Sequence, residues 1–364
     1  MSFKLNPRMK VAIAGGGIAG LACAYVLLQR GAAVSLFEAG QVGRGALWAS
    51  GGMLAGGFEC AAHNAPPDLA ELSRRSMSLW HQWAQELGPD RIGFRASGVL
   101  ASALTSVEQG WLDGLAAYAK AHGFRTQSAK PETAGLNAET ALIFNQDGEL
   151  DNRRLGPVLA DAVRQFGGQV YENTPVIGVD INGGVVVQHA RGAFEADAVI
   201  LATGHEAAQL AGFEPALSQL IPVKGQMLSV EATHLNLPAC VRAIDVYLSQ
   251  KPGGRVVIGA TSETGVCDDQ VDPAAIAALR DRANLLLPGL KEQTELERWC
   301  GIRPGTRDGL PIFGAGQTGG VFLATGLYRN GVLLAPAVAE SMADMILTGA
   351  SGMSALSPSR FEPH

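Results

Sequence analysis

The sequence lacks any excess of positive charge. Its 28 Lys and Arg stand against 34 Asp and Glu, a net −6, with no basic cluster and no Lys/Arg-rich tail. A nucleic-acid partner is therefore not expected. Cysteine is sparse: Cys23, Cys60, Cys240, Cys267 and Cys300 are odd in number and widely spaced, with no C-x-x-C pair. That argues against a disulfide framework and a zinc site, and most of these residues read as small buried hydrophobes. No metal site is expected. The first nine residues, MSFKLNPRM, hold no apolar core of signal-peptide length. Beyond the Gly-rich stretch that follows, no run of about 18 apolar residues is apparent, so a cytoplasmic protein without a transmembrane segment is expected. A homo-oligomer is left open.

Glycine and apolar residues are abundant. The 364 residues include 46 glycines and are 47% hydrophobic and 17% charged, which suits a compact α/β enzyme of two to three structural units. The stretch VAIAGGGIAGLACAYVLLQRGAAVSLFEA, from Val11, orders a strand, a Gly turn, a helix, a second strand and an acid. It matches the G-x-G-x-x-G dinucleotide fingerprint. Gly15 permits the sharp turn, Gly17 lets backbone approach a pyrophosphate, and Gly20 lets helix and strand pack closely. The helix N-terminus offers free N–H groups and a positive dipole end. Glu38 is placed to accept hydrogen bonds from an adenosine ribose.

Farther along, apolar spacing predicts an amphipathic helix over 66–88, a strand-like region in GFRASGVLASAL and a helix over 111–121. Residues 124–140 read as irregular, and ALIFNQDGELD reads as a hairpin around its Asp-Gly turn. A helix is expected over 153–166, with strands over 169–171 and 176–181. ADAVILATG (196–204) reads as a strand able to rejoin the nucleotide-binding sheet. Residues 220–261 look antiparallel, Asp272 and Pro273 start a helix, and a last strand precedes a helix from Gly331. The expected fold class is α/β: a discontinuous Rossmann-like nucleotide-binding domain (1–88, 146–216 and 301–364) beside a discontinuous α+β substrate domain. The latter (89–145 and 217–300) should carry a large mixed or antiparallel sheet.

FAD is favoured over NAD by the N-terminal position of the fingerprint, by the small-residue loop GRGALWASGGML after Glu38, and by the second Gly-containing turn ATGLYRNGVLLAPA. With SGGML (50–54), PVKGQMLSV (222–230), GIRPGTRDG (301–309) and YRNGVLLAPA (328–337), the chain resembles the glycine oxidase branch of the D-amino-acid-oxidase-like flavoproteins over nearly its whole length. The resemblance implies non-covalent FAD. Ile18 and Ala19 would lie at the pyrophosphate turn, and Glu38 and Ala39 at the adenosine end with Val176. Ala46, Leu47, Gly51, Gly52 and Met53 would border the flavin. Leu327, Tyr328, Arg329, Asn330, Gly331, Val332 and Leu333 would wrap its pyrimidine end. Arg303 matches the family's carboxylate-binding arginine, Tyr247 its active-site tyrosine, and Arg329 the arginine of its C-terminal turn.

The resemblance implies oxidation of glycine, small amines or D-amino acids to the imine or 2-oxo acid. O2 or another electron acceptor would reoxidise the flavin, and the reaction could feed thiazole synthesis for thiamine. The chain departs from the family at Ala46, Leu47 and Trp48, where Thr or Ser is usual, and at Asp245 and Ser262, where glycine oxidase has His and Met. Cys300 aligns with the flavin-attaching cysteine of sarcosine oxidases but reads as a buried cysteine. Arg303 could instead form an ion pair with Asp308 or Glu297, Tyr247 could be buried by strand alternation, and Arg329 could serve substrate, flavin or a neighbouring loop. An amine dehydrogenase using a quinone or protein acceptor, a hydrogen-cyanide-synthase-like subunit, an NAD-linked enzyme and a flavoprotein without turnover are the competing readings.

Overall fold

The computed structural model describes residues 8–181 and 184–362; residues 1–7, part of the stretch read for a leader, lie outside them. Strand β1 (Lys10–Ala14) is buried from Val11 onward, turns through the glycines into helix α1 (Ile18–Gln29), and pairs parallel with β2 (Ala33–Phe37). Four more strands complete a six-stranded sheet in the order 312–315, 321–325, 198–201, β1, β2, 169–171. Ala198–Leu201 rejoins β1 in parallel register, Val11 opposite Ala198. The strand read in ADAVILATG therefore does return to the nucleotide-binding sheet. Only the edge pair 312–315 and 321–325 is antiparallel.

Helix α2 (Gly56–Ala62) and helix α3 (Pro67–Leu87) follow the glycine loop. Leu69, Leu72, Trp80, Trp83 and Leu87 of α3 are buried, as their spacing required. The expected hairpin in ALIFNQDGELD is absent. Thr140–Phe144 pairs antiparallel with Val99–Ala103 in a large sheet, whereas Gly148–Glu149 pairs with Met53–Leu54. The Asp-Gly turn thus carries the chain from one sheet to another, because the Asp147 carboxylate accepts from the N–H groups of Gly57 and Phe58 at the start of α2 (2.7 and 2.9 Å). The region read as irregular contains an edge strand, Thr126–Ala129. Its sequence, TQSA, has no apolar alternation to reveal it.

The large sheet has nine strands and is mixed. Strand β3 (Leu220–Glu231) lies next to one edge, with β4 (Cys240–Arg242) and β5 (Tyr247–Gln250) farther in. Helix α4 (Pro273–Leu286) starts as expected, Asp272 accepting from the Ala274 N–H at 2.9 Å, and packs on this sheet. Strand β6 (Glu295–Thr306) pairs antiparallel with β3, from Leu220 opposite Thr306 to Val230 opposite Glu295. It runs within this sheet past the expected boundary at residue 301.

Helix α5 (Gly331–Thr348) packs against α1 and α3. Together with the preceding turn it is long and apolar enough to cross a bilayer, a run that the sequence reading overlooked. Most of it is buried inside the protein. Its apolarity is explained by burial of 332–339 in the core, while Glu340, Ser341 and Asp344 form a partly exposed stripe beyond.

Candidate active site

The glycine turn is shaped by close contacts. A Cβ on Gly15, whose φ is +105°, would overlap the Ala202 carbonyl, and one on Gly20 would overlap the carbonyl of Gly15. Gly17 has no atom within 4 Å of a Cβ position. It caps α1 without any side-chain bond, so the first N–H groups of the helix face open space. That space is a cavity of about 1390 Å3 lined here by Gly15, Gly17, Ile18 and Ala19. Glu38 reaches back to the same turn. Its two carboxylate oxygens accept from the N–H groups of Gly16 (2.7 Å) and Gly40 (2.8 Å). Ala39 and Val176 border the same end.

Farther in, Ala46, Leu47, Gly51 and Met53 line the wall. Gly52 stands behind it in a left-handed conformation (φ +69°). This segment is pinned from beneath by Lys251, whose buried ammonium donates to the carbonyls of Gly51 and Leu150, each at 2.7 Å. Leu327, Tyr328, Arg329, Gly331 and Val332 close the cavity at the N-terminus of α5, whose cap, Asn330, makes no side-chain bond. A Cβ on Gly331 would lie 3.5 Å from Ile18 Cγ2, so the positive ends of α1 and α5 converge on one cavity. Leu333 points into the core, where its carbonyl accepts from Ser76 (2.5 Å) and the Trp80 indole (3.0 Å). Of the expected cofactor residues, Gly20, Gly52, Asn330 and Leu333 thus support the wall without lining it.

The three expected substrate residues meet in this cavity. Arg303 projects from β6, and a Cβ on the facing Gly225 would overlap its guanidinium. It donates to the carbonyls of Thr261 (3.1 Å) and Lys224 (3.4 Å). No carboxylate lies within 4 Å of it among the described residues. Asp308 is held by Arg360 at 2.8 Å, and Glu297 by Arg153 and Arg255. The ion-pair alternative for Arg303 therefore falls away. Burial, with the charge of Arg329 beside it, lowers the Arg303 pKa from its ordinary value. Tyr247 is buried, and burial pushes its phenol up to about 12 despite the nearby Arg303 and Arg242. It stays a proton donor throughout the working pH range. Arg329 lies over the Tyr328 ring at 5.2 Å, and its buried Nε has no hydrogen-bond partner. The Tyr328 hydroxyl meets Ser262 Oγ at 3.2 Å. Burial raises this phenol's pKa, but Ser262 and the charges of Arg329 and Arg303 bring it below its usual value.

Sequence reasoning missed two groups here. Arg242 of β4 stacks over the rings of Phe58 (4.7 Å) and Tyr247 (5.7 Å) and pairs with Glu59 of α2 at 3.6 Å. Both Arg242 and Glu59 are buried and line the cavity. Burial opposes ionisation of Glu59, yet His63, Arg242 and Arg329 draw its pKa down to about 2. The available signal was an isolated charge inside each of two small-residue or apolar runs, GGFECAA and ACVRAI. Cys300 is half-buried and borders the cavity, in contrast to the expected buried cysteine, whereas Cys23, Cys60 and Cys240 are buried and Cys267 is exposed.

The donor set fits a dinucleotide: two uncapped helix N-termini for anionic groups, a glycine wall for close approach and more room than small-molecule sites usually offer. The model for FAD dependent oxidoreductases matches residues 10–345. The chain is 33% identical over 354 residues to the glycine oxidase of Geobacillus kaustophilus strain HTA426, covering 94% of each protein. It is 31% identical to the bifunctional protein ThiO/ThiG of Synechocystis sp., covering 96% of this chain and 54% of that protein. The crystal structure of glycine oxidase from Geobacillus kaustophilus superimposes with a TM-score of 0.90 at 32% identity, covering 98% of this chain and all of that one. With fold, glycine turn and cavity in agreement, the chain belongs to the FAD dependent oxidoreductase family.

Proposed function

We propose that the protein oxidises glycine, other small primary or secondary amino acids, or D-amino acids to the imine, which water converts to the 2-oxo acid. The observation that carries this reading is Arg303, a guanidinium with no carboxylate partner that projects into the FAD cavity beside Tyr247. A planar, permanently charged fork of this kind holds a carboxylate bidentately. The Tyr247 hydroxyl, kept protonated, adds a donor to the same anion. FAD bound in the cavity supplies the hydride acceptor for the substrate Cα–H.

The chain's own task is orientation. Arg303 and Tyr247 fix the carboxylate end, so the Cα–H can face the wall formed by Gly51 and Met53. Tyr328 and Ser262 bound the opposite side. The N-terminus of α5 favours negative charge arriving at that end of the cavity. In this reading 1–88, 146–216 and 301–364 form the FAD part, and 89–145 and 217–300 the substrate part. The six-stranded and nine-stranded sheets support that division, except that β6 stays in the nine-stranded sheet as far as Thr306. O2 serves as acceptor, giving H2O2, and the five free thiols are in keeping with a cytoplasmic location.

The test is anaerobic mixing of the yellow protein with glycine, sarcosine and a D-amino-acid set, followed by air. Bleaching by at least one, then recovery with stoichiometric peroxide, is expected. A flavin that no amino acid bleaches overturns the reading; bleaching without peroxide replaces O2 by another acceptor.

A further inference from the structure

Lys251 sits behind the cavity wall, one residue past β5, the strand that brings Tyr247 to the front of it. Its side chain is 1% exposed. The Nζ donates to the Gly51 and Leu150 carbonyls, each at 2.7 Å, and lies 3.9 Å from the buried Glu149 carboxylate. Glu149 in turn holds Arg95 at 2.9 Å and accepts from the Ser249 hydroxyl. Burial lowers the Lys251 pKa and Glu149 opposes the fall. The amine can donate both carbonyl bonds in either protonation state. Only a long side chain from this turn reaches two carbonyls that belong to segments so far apart in the chain.

Neighbouring carbonyls of the wall are also held by side-chain donors. Leu47 and Trp48 accept from the Asn152 amide at 2.9 Å each, and Ala49 accepts from the Trp299 indole at 3.0 Å. In a planar trans peptide the carbonyl and the following N–H point to opposite sides. With the Gly51 oxygen drawn back to Lys251, the Gly52 N–H points forward to the cavity side, although the Gly52 Cα stands behind the wall. It makes no hydrogen bond among the described residues, and Gly52 is buried. A Cβ on Gly52 would lie 3.0 Å from Nζ and 2.3 Å from the Leu150 oxygen, so only glycine lets the amine close on this peptide. A buried N–H without a partner is costly, and a ligand in the cavity can supply the missing acceptor. We propose that Lys251 is a positioning residue for FAD: it fixes the Gly51–Gly52 peptide so that the Gly52 N–H donates to the flavin ring. The proposal needs FAD in the cavity but no particular substrate.

The test is the midpoint potential of the bound flavin in wild type and K251M, both loaded with FAD. An N–H donor at the ring favours the electron density gained on reduction, so losing its alignment makes reduction harder. Methionine keeps the length of the side chain and removes its donors. K251M is expected to lower the potential by at least about 30 mV, the two-electron equivalent of a tenfold change in the reduction equilibrium. A residue that merely supports the fold would change thermal stability or FAD content and leave the potential where it was. A wild-type potential in FAD-loaded K251M therefore overturns the proposal, however weakly that variant holds FAD. Should K251M fail to fold or to load, the crystal structure of the wild-type protein with FAD decides. A Gly52 nitrogen within about 3.2 Å of a nitrogen or oxygen of the flavin ring upholds the proposal. A nitrogen farther away, or a Gly51 carbonyl turned towards the ring, overturns it.

Discussion

The Tyr247 ring is held between two glycines, Gly51 and Gly259. A Cβ on Gly51 would come within 2.8 Å of the Tyr247 hydroxyl, and one on Gly259 would overlap the ring. The tyrosine's position is thus set by side chains that are not there. Gly51→Ala is expected to displace the phenol from the carboxylate site while the backbone tolerates the change. Overpacking of this kind costs about 1–3 kcal/mol. An increase of roughly tenfold in substrate Kd is expected, with FAD retained. Unchanged substrate affinity in a protein that holds FAD normally would show that Tyr247 has no part in binding.

Glu59 gives the site a pH signature in stability. Its folded pKa of about 2 lies below the ordinary 4.5, so the ionised form is stabilised by folding. The contribution is fully present above about pH 4.5 and is lost as the pH falls towards 2. It amounts to at most about 3 kcal/mol. Urea unfolding of wild type and Glu59→Gln between pH 3 and 6 should show the wild-type advantage shrinking as the solution becomes more acidic. Parallel stability curves would mean that the carboxylate gains nothing from Arg242 and His63.

Much of this architecture was legible because periodicity and turn chemistry agree along the chain. The β1–α1–β2 unit, the buried face of α3 and the Asp272 cap follow from local rules that tertiary packing did not override. The Asp147–Gly148 turn did not, because its partner is the start of α2, some ninety residues earlier, and nothing local records that bond. Arg303 and Tyr247 came from family resemblance, and the structure then showed that Asp308 and Glu297 are occupied elsewhere. Arg242 and Glu59 sit on separate elements, β4 and α2. Their pairing is a product of the fold, invisible in either segment alone.

The cofactor is expected to leave the protein on acid precipitation, with the yellow colour in the supernatant. Cys300 is the one cysteine bordering the cavity, and its thiol is already drawn towards the Asp268 carbonyl at 3.9 Å. Burial raises its pKa above the usual value, which disfavours the reactive thiolate. Colour that stays in the pellet and is freed by Cys300→Ala would establish a covalent link instead.

Glu38 ties Gly16 and Gly40 together through both carboxylate oxygens, so its loss acts on the cofactor turn as well as on any ribose contact. Glu38→Ala should weaken FAD binding by about 2–5 kcal/mol, since hydrogen bonds to a charged acceptor are worth about 1.5–3 kcal/mol each before water compensates. FAD titration of the apoprotein measures this. Wild-type affinity would reduce Glu38 to a strand-end charge.

Arg303 carries the substrate class. Its guanidinium is oriented by the Thr261 and Lys224 carbonyls, which occupy one nitrogen and leave the rest of the fork free. Arg303→Ala removes a pair of charge-assisted hydrogen bonds, a loss of roughly 3–6 kcal/mol before water enters. Affinity for carboxylated substrates should fall about a hundredfold or more. Lysine should not restore it, because a point charge lacks the planar fork and its shorter set of donors cannot meet both oxygens. Amines without a carboxylate should lose far less, since they never engaged the fork. Folding and FAD content should stay close to wild type: Arg303 sits at the cavity wall, and removing it also removes the repulsion from Arg329. The measurement is anaerobic flavin reduction against concentration for wild type, Arg303→Ala and Arg303→Lys, with one amino acid and its decarboxylated amine. Equal losses for the two ligands would assign Arg303 to the scaffold and detach the protein from amino-acid substrates altogether.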